Sequence, residues 1–229
     1  MSALDYAGRS TADARDLRTK RATFRTFVGE GAPRAIFAAT AIAILVRVLV
    51  GGFGFSDVAT IVLGVLAVGF VEWVIHVYWL HAPEDSRRME KFRSGVSHRQ
   101  HHAEPESVGF LLLTAPDAIS YMVVLTAWHA TWPLLFAWLV GAPLFATYLT
   151  ALVTSYVLLG YYEWIHLLMH TNYRPKTRYF ADRTQHHRLH HYRNEQYWMG
   201  VTSTLGDISF GTNPADKSDV PLSSTTRTL

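Results

Sequence analysis

Residues 118–162 contain no Lys, Arg, Asp or Glu. A bilayer core is crossed by about 20 apolar helical residues, so this stretch has room for two crossings. Trp132-Pro133 and Gly141-Ala142-Pro143 supply a tight join between them. Upstream, residues 35–55 are apolar apart from Arg47, whose stem can snorkel to the membrane surface. Residues 58–80 form another apolar run, with Glu72 and His76 near its exit and Pro83 beyond to stop it. The expected fold is all-α: a polytopic membrane protein with four transmembrane helices. Trp73, Trp79, Trp128, Trp132, Trp138 and Trp164 fall near the ends of these runs, as an aromatic belt would.

Four crossings put residues 1–34, 84–107 and everything after 170 on one side. Every Lys and Arg except Arg47 lies in those three segments, so the positive-inside rule makes that side cytoplasmic. The formal charge of +3 is therefore a topology signal, and no nucleic-acid partner is expected. Residues 1–34 lack the apolar core and cleavage site of a secretory signal and read as a polar cytoplasmic arm or surface helix. Residues 35–212 read as one membrane-embedded domain, and the Ser/Thr-rich residues 213–229 as a disordered tail.

The same side receives the histidines. Glu72-Trp73 precedes His76 and His81, and His98, His101 and His102 follow; Glu163-Trp164 precedes His166 and His170, and His187, His190 and His191 follow. The step from His81 to His98 equals the step from His170 to His187. There is no cysteine, so any metal must be held by imidazole and carboxylate. Positions i, i+3 and i+4 share a helix face, so each triplet is expected to converge, as are His166 and His170. His81 is five residues from His76, and fraying before Pro83 is expected to let it swing in. Ten imidazoles exceed the shell of one ion but suit two ions with about five each and an open position for oxygen or water. Glu72 and Glu163 are placed to orient a ligating ring from behind or to bind metal directly. No other side chain is assigned a catalytic role, and the expected pattern is a histidine-rich helical cap on the cytoplasmic side.

The remaining candidates read more plainly. His129, on the opposite side, is an interfacial or packing residue, and His186 is an overhang of its triplet. Arg99 and Arg188 are solvated or meet lipid phosphate. A carboxylate-bridged di-iron bundle needs two Glu-x-x-His motifs. Glu163 and His166 make one, but Glu72 is a residue too far from His76. A metal transporter or metal-binding membrane module would place polar ligands near the midplane, whereas these histidines gather on one side.

The order His-x4-His, His-x2-His-His, His-x3-His, His-x2-His-His resembles the fatty acid hydroxylase/sterol desaturase superfamily, and its first spacing most resembles the fatty acid 2-hydroxylase branch. Asp207 to Thr212 is similar to that family's Asp-x-x-Phe-Gly-Thr ending. The resemblance implies a membrane oxidoreductase with two iron ions, for which zinc can substitute in a purified sample. It further implies oxygen as co-substrate, the ten histidines as metal ligands, and hydroxylation of a long-chain lipid, a fatty acyl chain foremost. Desaturation, or a sterol or carotenoid substrate, is the alternative within the superfamily. Residues 1–34 have no His-Pro-Gly-Gly of a cytochrome b5 domain, so electrons are expected from a separate protein of cytochrome b5 or ferredoxin type. The excess of Arg over Lys and the many Ala point to a bacterial plasma membrane, or to the endoplasmic reticulum in a eukaryote.

Overall fold

The computed structural model describes residues 9–83, 86 and 93–225. The basic residues Arg87, Arg88 and Lys91, counted above toward topology, lie outside the described residues. Among the described residues there is no β-strand, only one isolated antiparallel bridge between Asp13 and Ser107. The α-helices are α1 (Lys20–Gly29), α2 (Gly31–Val50), α3 (Phe55–Ile75), α4 (Arg93–Ala103), α5 (Val108–Leu111), α6 (Ala115–His129), α7 (Trp132–Val140), α8 (Leu144–His170), α9 (Arg178–Tyr192) and α10 (Leu205–Phe210). Four stretches are long and apolar enough to cross a membrane: Gly31–Val50, Phe55–Leu80, Val108–Val140 and Leu144–His170. Leu49 is 77% exposed and Leu45 58%, surface that water penalises and acyl chains do not.

Local chemistry explains where the helices begin and end. The Thr114 hydroxyl accepts from the Asp117 N–H, and Pro116 sits in the first turn of α6, where its missing N–H costs nothing. Thr177 caps α9 in the same way through the Phe180 N–H. Helix α7 stops at Gly141, whose φ of 68° is a left-handed cap.

The chain forms two compact units. One comprises Val28–Val68 and Thr114–Glu163. Its core contains Arg47, which is 4% exposed and does not snorkel as its sequence position had led us to expect. The guanidinium donates to Asp57 Oδ1 at 2.6 Å, Thr150 Oγ1 at 2.7 Å and the Gly51 carbonyl at 2.6 Å, and lies 4.1 Å from the Phe53 ring centre. Asp57 also accepts from the Thr150 hydroxyl and from the Gly54 N–H. A partner three residues into the next helix, with no sequence signature linking it to Arg47, makes burial possible. In the same unit His129 pairs with the Ser155 hydroxyl and packs edge-on against Trp132, a packing role.

The other unit comprises Met1–Phe27, Gly69–Leu113 and Trp164–Leu229. Within it residues 9–14 are fastened: the Ala14 N–H donates to the Glu106 carbonyl at 2.8 Å, the Val108 N–H to the Ala12 carbonyl at 3.0 Å, and the Arg9 guanidinium to Gly109 O and Ser97 Oγ at 2.7 Å each. Residues 220–225, within the stretch whose composition suggests disorder, make contacts in the same unit. Val220 is 1% exposed, its carbonyl accepts from Arg193, and the Ser223 and Thr225 hydroxyls donate to Glu195.

Asp57→Ala strips the buried Arg47 of its counter-charge and should destabilise the protein by about 3–5 kcal/mol. Replacing both residues, Arg47→Met with Asp57→Leu, should recover most of that loss. Denaturant unfolding of the three forms in detergent measures the difference.

Candidate metal centre

The ten patterned histidines all lie in the unit that holds both chain ends, and they form two sets of five. One set is His76, His81, His98, His102 and His190; the other is His101, His166, His170, His187 and His191. Within each set one ring nitrogen per residue lies within 4.8 Å of all the others. Eight of the rings are buried, while His81 and His170 are half-buried.

Helix geometry decides the partition. At about 100° per residue, i and i+4 nearly eclipse whereas i+3 lies roughly 60° to the other side. His98 and His102 therefore enter one set and His101 the other, and likewise His187 and His191 part from His190. Each triplet was expected to converge as a whole; instead its middle histidine crosses to the set built by the other half of the sequence. His76 and His81 are brought together by a π-helical turn, His76–Leu80, closed by the His81 N–H donating to the His76 carbonyl at 2.9 Å. The wider i→i+5 turn, not fraying before Pro83, aligns the pair.

The nitrogen separations fit metal binding. His98 Nε2 lies 3.1 Å from His76 Nε2, 3.1 Å from His81 Nε2 and 3.2 Å from His102 Nε2, and His190 Nε2 lies 3.3 and 3.2 Å from His81 and His102. A neutral imidazole has one N–H. In His76 it is spent on the Met199 carbonyl at 2.5 Å and in His190 on the Tyr197 carbonyl at 2.9 Å, both through Nδ1. Bare Nε2 lone pairs then face one another, and one proton on His98 cannot serve three neighbours. A cation bonded at about 2.0–2.1 Å places adjacent ligands about 2.9–3.4 Å apart, the spacing observed. In the second set His187 Nε2 is 2.8 Å from His170 Nε2 and 3.2 Å from His191 Nε2. His101 is fully buried and neither of its ring nitrogens has a hydrogen-bond partner. Buried polar atoms are rarely left so. Both donor sets therefore suit a metal.

Backbone carbonyls aim the rings. Besides Met199 and Tyr197, the Leu111 carbonyl accepts from His166 Nδ1 at 3.0 Å. These were invisible in the sequence, since any residue carries a carbonyl. Glu72 does not touch a ring: its carboxylate accepts from the Thr202 N–H at 3.0 Å and from the Thr202 hydroxyl. Glu163 is buried in the other unit and joins neither set. Arg99 donates to the Ala82 carbonyl at 2.7 Å, beside His81, rather than reaching for lipid. His186 stays outside both sets, with its Nδ1 accepting from Arg183 at 2.8 Å. A cavity of about 290 Å³ reaches His170, His187 and His191 and is also lined by Arg15, Glu106 and Arg188.

Burial first, and then the neighbouring imidazoles, hold His98, His101, His187 and His191 well below the ordinary histidine pKa; for His190 burial leads, with His102 beside it. Neutral rings are the form that binds metal.

The elements together define a class: a helical protein with four membrane-spanning candidates and a paired polyhistidine centre able to hold metal. The family model for fatty acid hydroxylase matches residues 61–212, and the chain belongs to that family. It is 30% identical over 170 residues to the dihydroceramide fatty acyl 2-hydroxylase FAH2 of Arabidopsis thaliana, covering 72% of this chain and 65% of that protein. It is 31% identical over 153 residues to the fatty acid 2-hydroxylase of Mus musculus, covering 66% of this chain and 38% of that one. The chain thus spans less than two thirds of the length of these relatives. The solved structure of full-length Scs7p, in which only the hydroxylase domain is visible, superposes with a TM-score of 0.64 over 84% of this chain and 68% of that chain, at 21% identity, a likeness of fold.

The pH dependence of the metal-free protein follows from the depressed histidines. The unfolded chain takes up protons below about pH 6.5 while the buried rings do not. Folding stability should therefore be full above pH 6.5 and fall as the pH drops below it. Thermal unfolding of metal-stripped protein should show a lower midpoint at pH 5.5 than at pH 7.5; an equal or higher midpoint would contradict the burial.

Proposed function

We propose that this protein is a non-haem di-iron lipid hydroxylase of the membrane that inserts one oxygen atom from O2 into a long-chain acyl group. The observation that carries the reading is the division of ten buried imidazoles into two sets of five with ligand-edge spacing. Family membership and the 2-hydroxylase relatives support the acyl substrate. The first ion is held by His76, His81, His98, His102 and His190, the second by His101, His166, His170, His187 and His191. Iron, when bound, supplies activation of oxygen and cleavage of an unactivated C–H bond.

The chain's own residues do the rest. The Met199, Tyr197 and Leu111 carbonyls keep the protons of His76, His190 and His166 on Nδ1, so that Nε2 faces the metal. The exposed apolar faces of the membrane-spanning helices provide the medium for an acyl tail. The cavity beside His170 gives small reactants a path to the second set. Electrons come from a carrier of the cytochrome b5 or ferredoxin class. The location of every Lys and Arg but Arg47 supports a centre facing the cytoplasm.

Lipid mass spectrometry of cells expressing the protein should show acyl chains heavier by one oxygen, and His101→Ala or His98→Ala should lose at least 100-fold of that product. A loss of two hydrogens instead would make the protein a desaturase; no change in any lipid would remove the enzyme reading.

A further inference from the structure

The Asp207-Ile208-Ser209-Phe210-Gly211-Thr212 segment contains no metal-ligand candidate, yet its polar atoms converge on the turn that aims two of the rings. Asp207 is fully buried. Its Oδ2 accepts from the Gly200 N–H at 2.8 Å, and its Oδ1 accepts from the Met199 N–H at 2.8 Å and the Thr212 hydroxyl at 2.6 Å. The Thr212 carbonyl accepts from the Trp198 N–H at 2.9 Å, and the Thr212 N–H returns to the Asp207 carbonyl at 2.9 Å. Gly211, at φ 76°, makes that return turn without the clash another residue would meet.

A peptide group is planar, with its C=O and N–H pointing opposite ways. The Gly200 N–H shares a plane with the Met199 carbonyl, so gripping the one at Asp207 Oδ2 points the other at His76 Nδ1. The Trp198 N–H shares a plane with the Tyr197 carbonyl, so gripping it at the Thr212 carbonyl points that carbonyl at His190 Nδ1. Both rings belong to the same set of five. Between the two planes Trp198 has φ 55°, a conformation that a bulky residue does not keep unaided. Position 200 admits no side chain, because a Cβ there would lie 1.8 Å from the Ser203 carbonyl oxygen. The second set draws backbone carbonyls from Leu111 and Pro105, in segments that share no residue with this turn.

We infer that Asp207 is a positioning residue for one metal ion only: with Thr212 it holds two peptide planes whose carbonyls set the tautomer of His76 and His190, and so determines the affinity of the His76/His81/His98/His102/His190 site while leaving the other site unaffected. This rests on the two-ion reading above. Removing partners that orient ligating histidines typically weakens metal affinity about 10- to 100-fold.

The test is chelator titration of purified, iron-loaded protein in detergent, with helical content followed by circular dichroism. The unaltered protein should carry two ions per chain; finding fewer would remove the two-ion reading itself. Asp207→Asn keeps the shape but turns an amide N–H toward a backbone donor. It should release one ion at about 10- to 100-fold lower chelator concentration, with the other ion's release unchanged and helicity retained. Thr212→Val, which removes the hydroxyl that donates to Asp207 Oδ1 and accepts from Trp73 Nε1 but keeps the backbone carbonyl that holds Trp198, should shift the same ion in the same direction by less. Adding His98→Ala to Asp207→Asn should leave one tightly held ion, whereas adding His101→Ala should leave none. Equal weakening of both ions, no weakening of either, or loss of helicity in both single variants would overturn the proposal.

Discussion

Two sets of five imidazole nitrogens, each set packed so that its members lie within 4.8 Å of one another, make an arrangement that protons cannot satisfy. His98 Nε2 has three nitrogen neighbours at 3.1–3.2 Å, and at least two of the rings around its set have already committed their only proton to a backbone carbonyl. Such an assembly is repulsive without positive charge at its centre, and protonating the rings inside a buried cluster would only exchange lone-pair repulsion for Coulomb repulsion. Much of the surrounding unit can be understood as what holds these rings in place: a π-helical turn to align His76 with His81, short segments to supply carbonyls, and chain ends fastened across the connectors.

The two halves of the sequence repeat a pattern, but the structure does not assign one half to each set. The i, i+4 members of each triplet stay with the pair from their own half, while His101 and His190 cross to the other. Neither set is then complete without residues from both halves. Exchanging one residue in this way means that α4 and α9 each contribute to both sets. The carbonyls that aim the rings are not exchanged: the turn at residues 197–200 serves one set and Leu111 serves the other.

Reading the chain as letters reaches some levels of this organisation and not others. The charge-free run at residues 118–162 and the doubled histidine spacing showed the helical membrane class and the ten residues that cluster, because hydropathy and helical periodicity are local properties. That each triplet divides follows from helix periodicity, but which set each part joins was not legible, since it depends on how two helices face one another. The Arg47–Asp57 pair was misjudged for a related reason: a cation near the end of an apolar run looks like a snorkelling residue until the counter-charge on the next helix is seen. Glu72 was expected to orient a ligating ring or bind metal, and its carboxylate holds the Thr202 N–H and hydroxyl. A carboxylate's partner here is a peptide N–H, which carries no sequence signature.

The claim on which the rest depends is that each set of five encloses one ion. Anomalous diffraction at the iron edge from crystals of the loaded protein measures this directly. Two peaks per chain are expected, one among the nitrogens of His76, His81, His98, His102 and His190 and one among those of His101, His166, His170, His187 and His191. A single peak shared between the sets, or peaks bound elsewhere with the rings left bare, would contradict it.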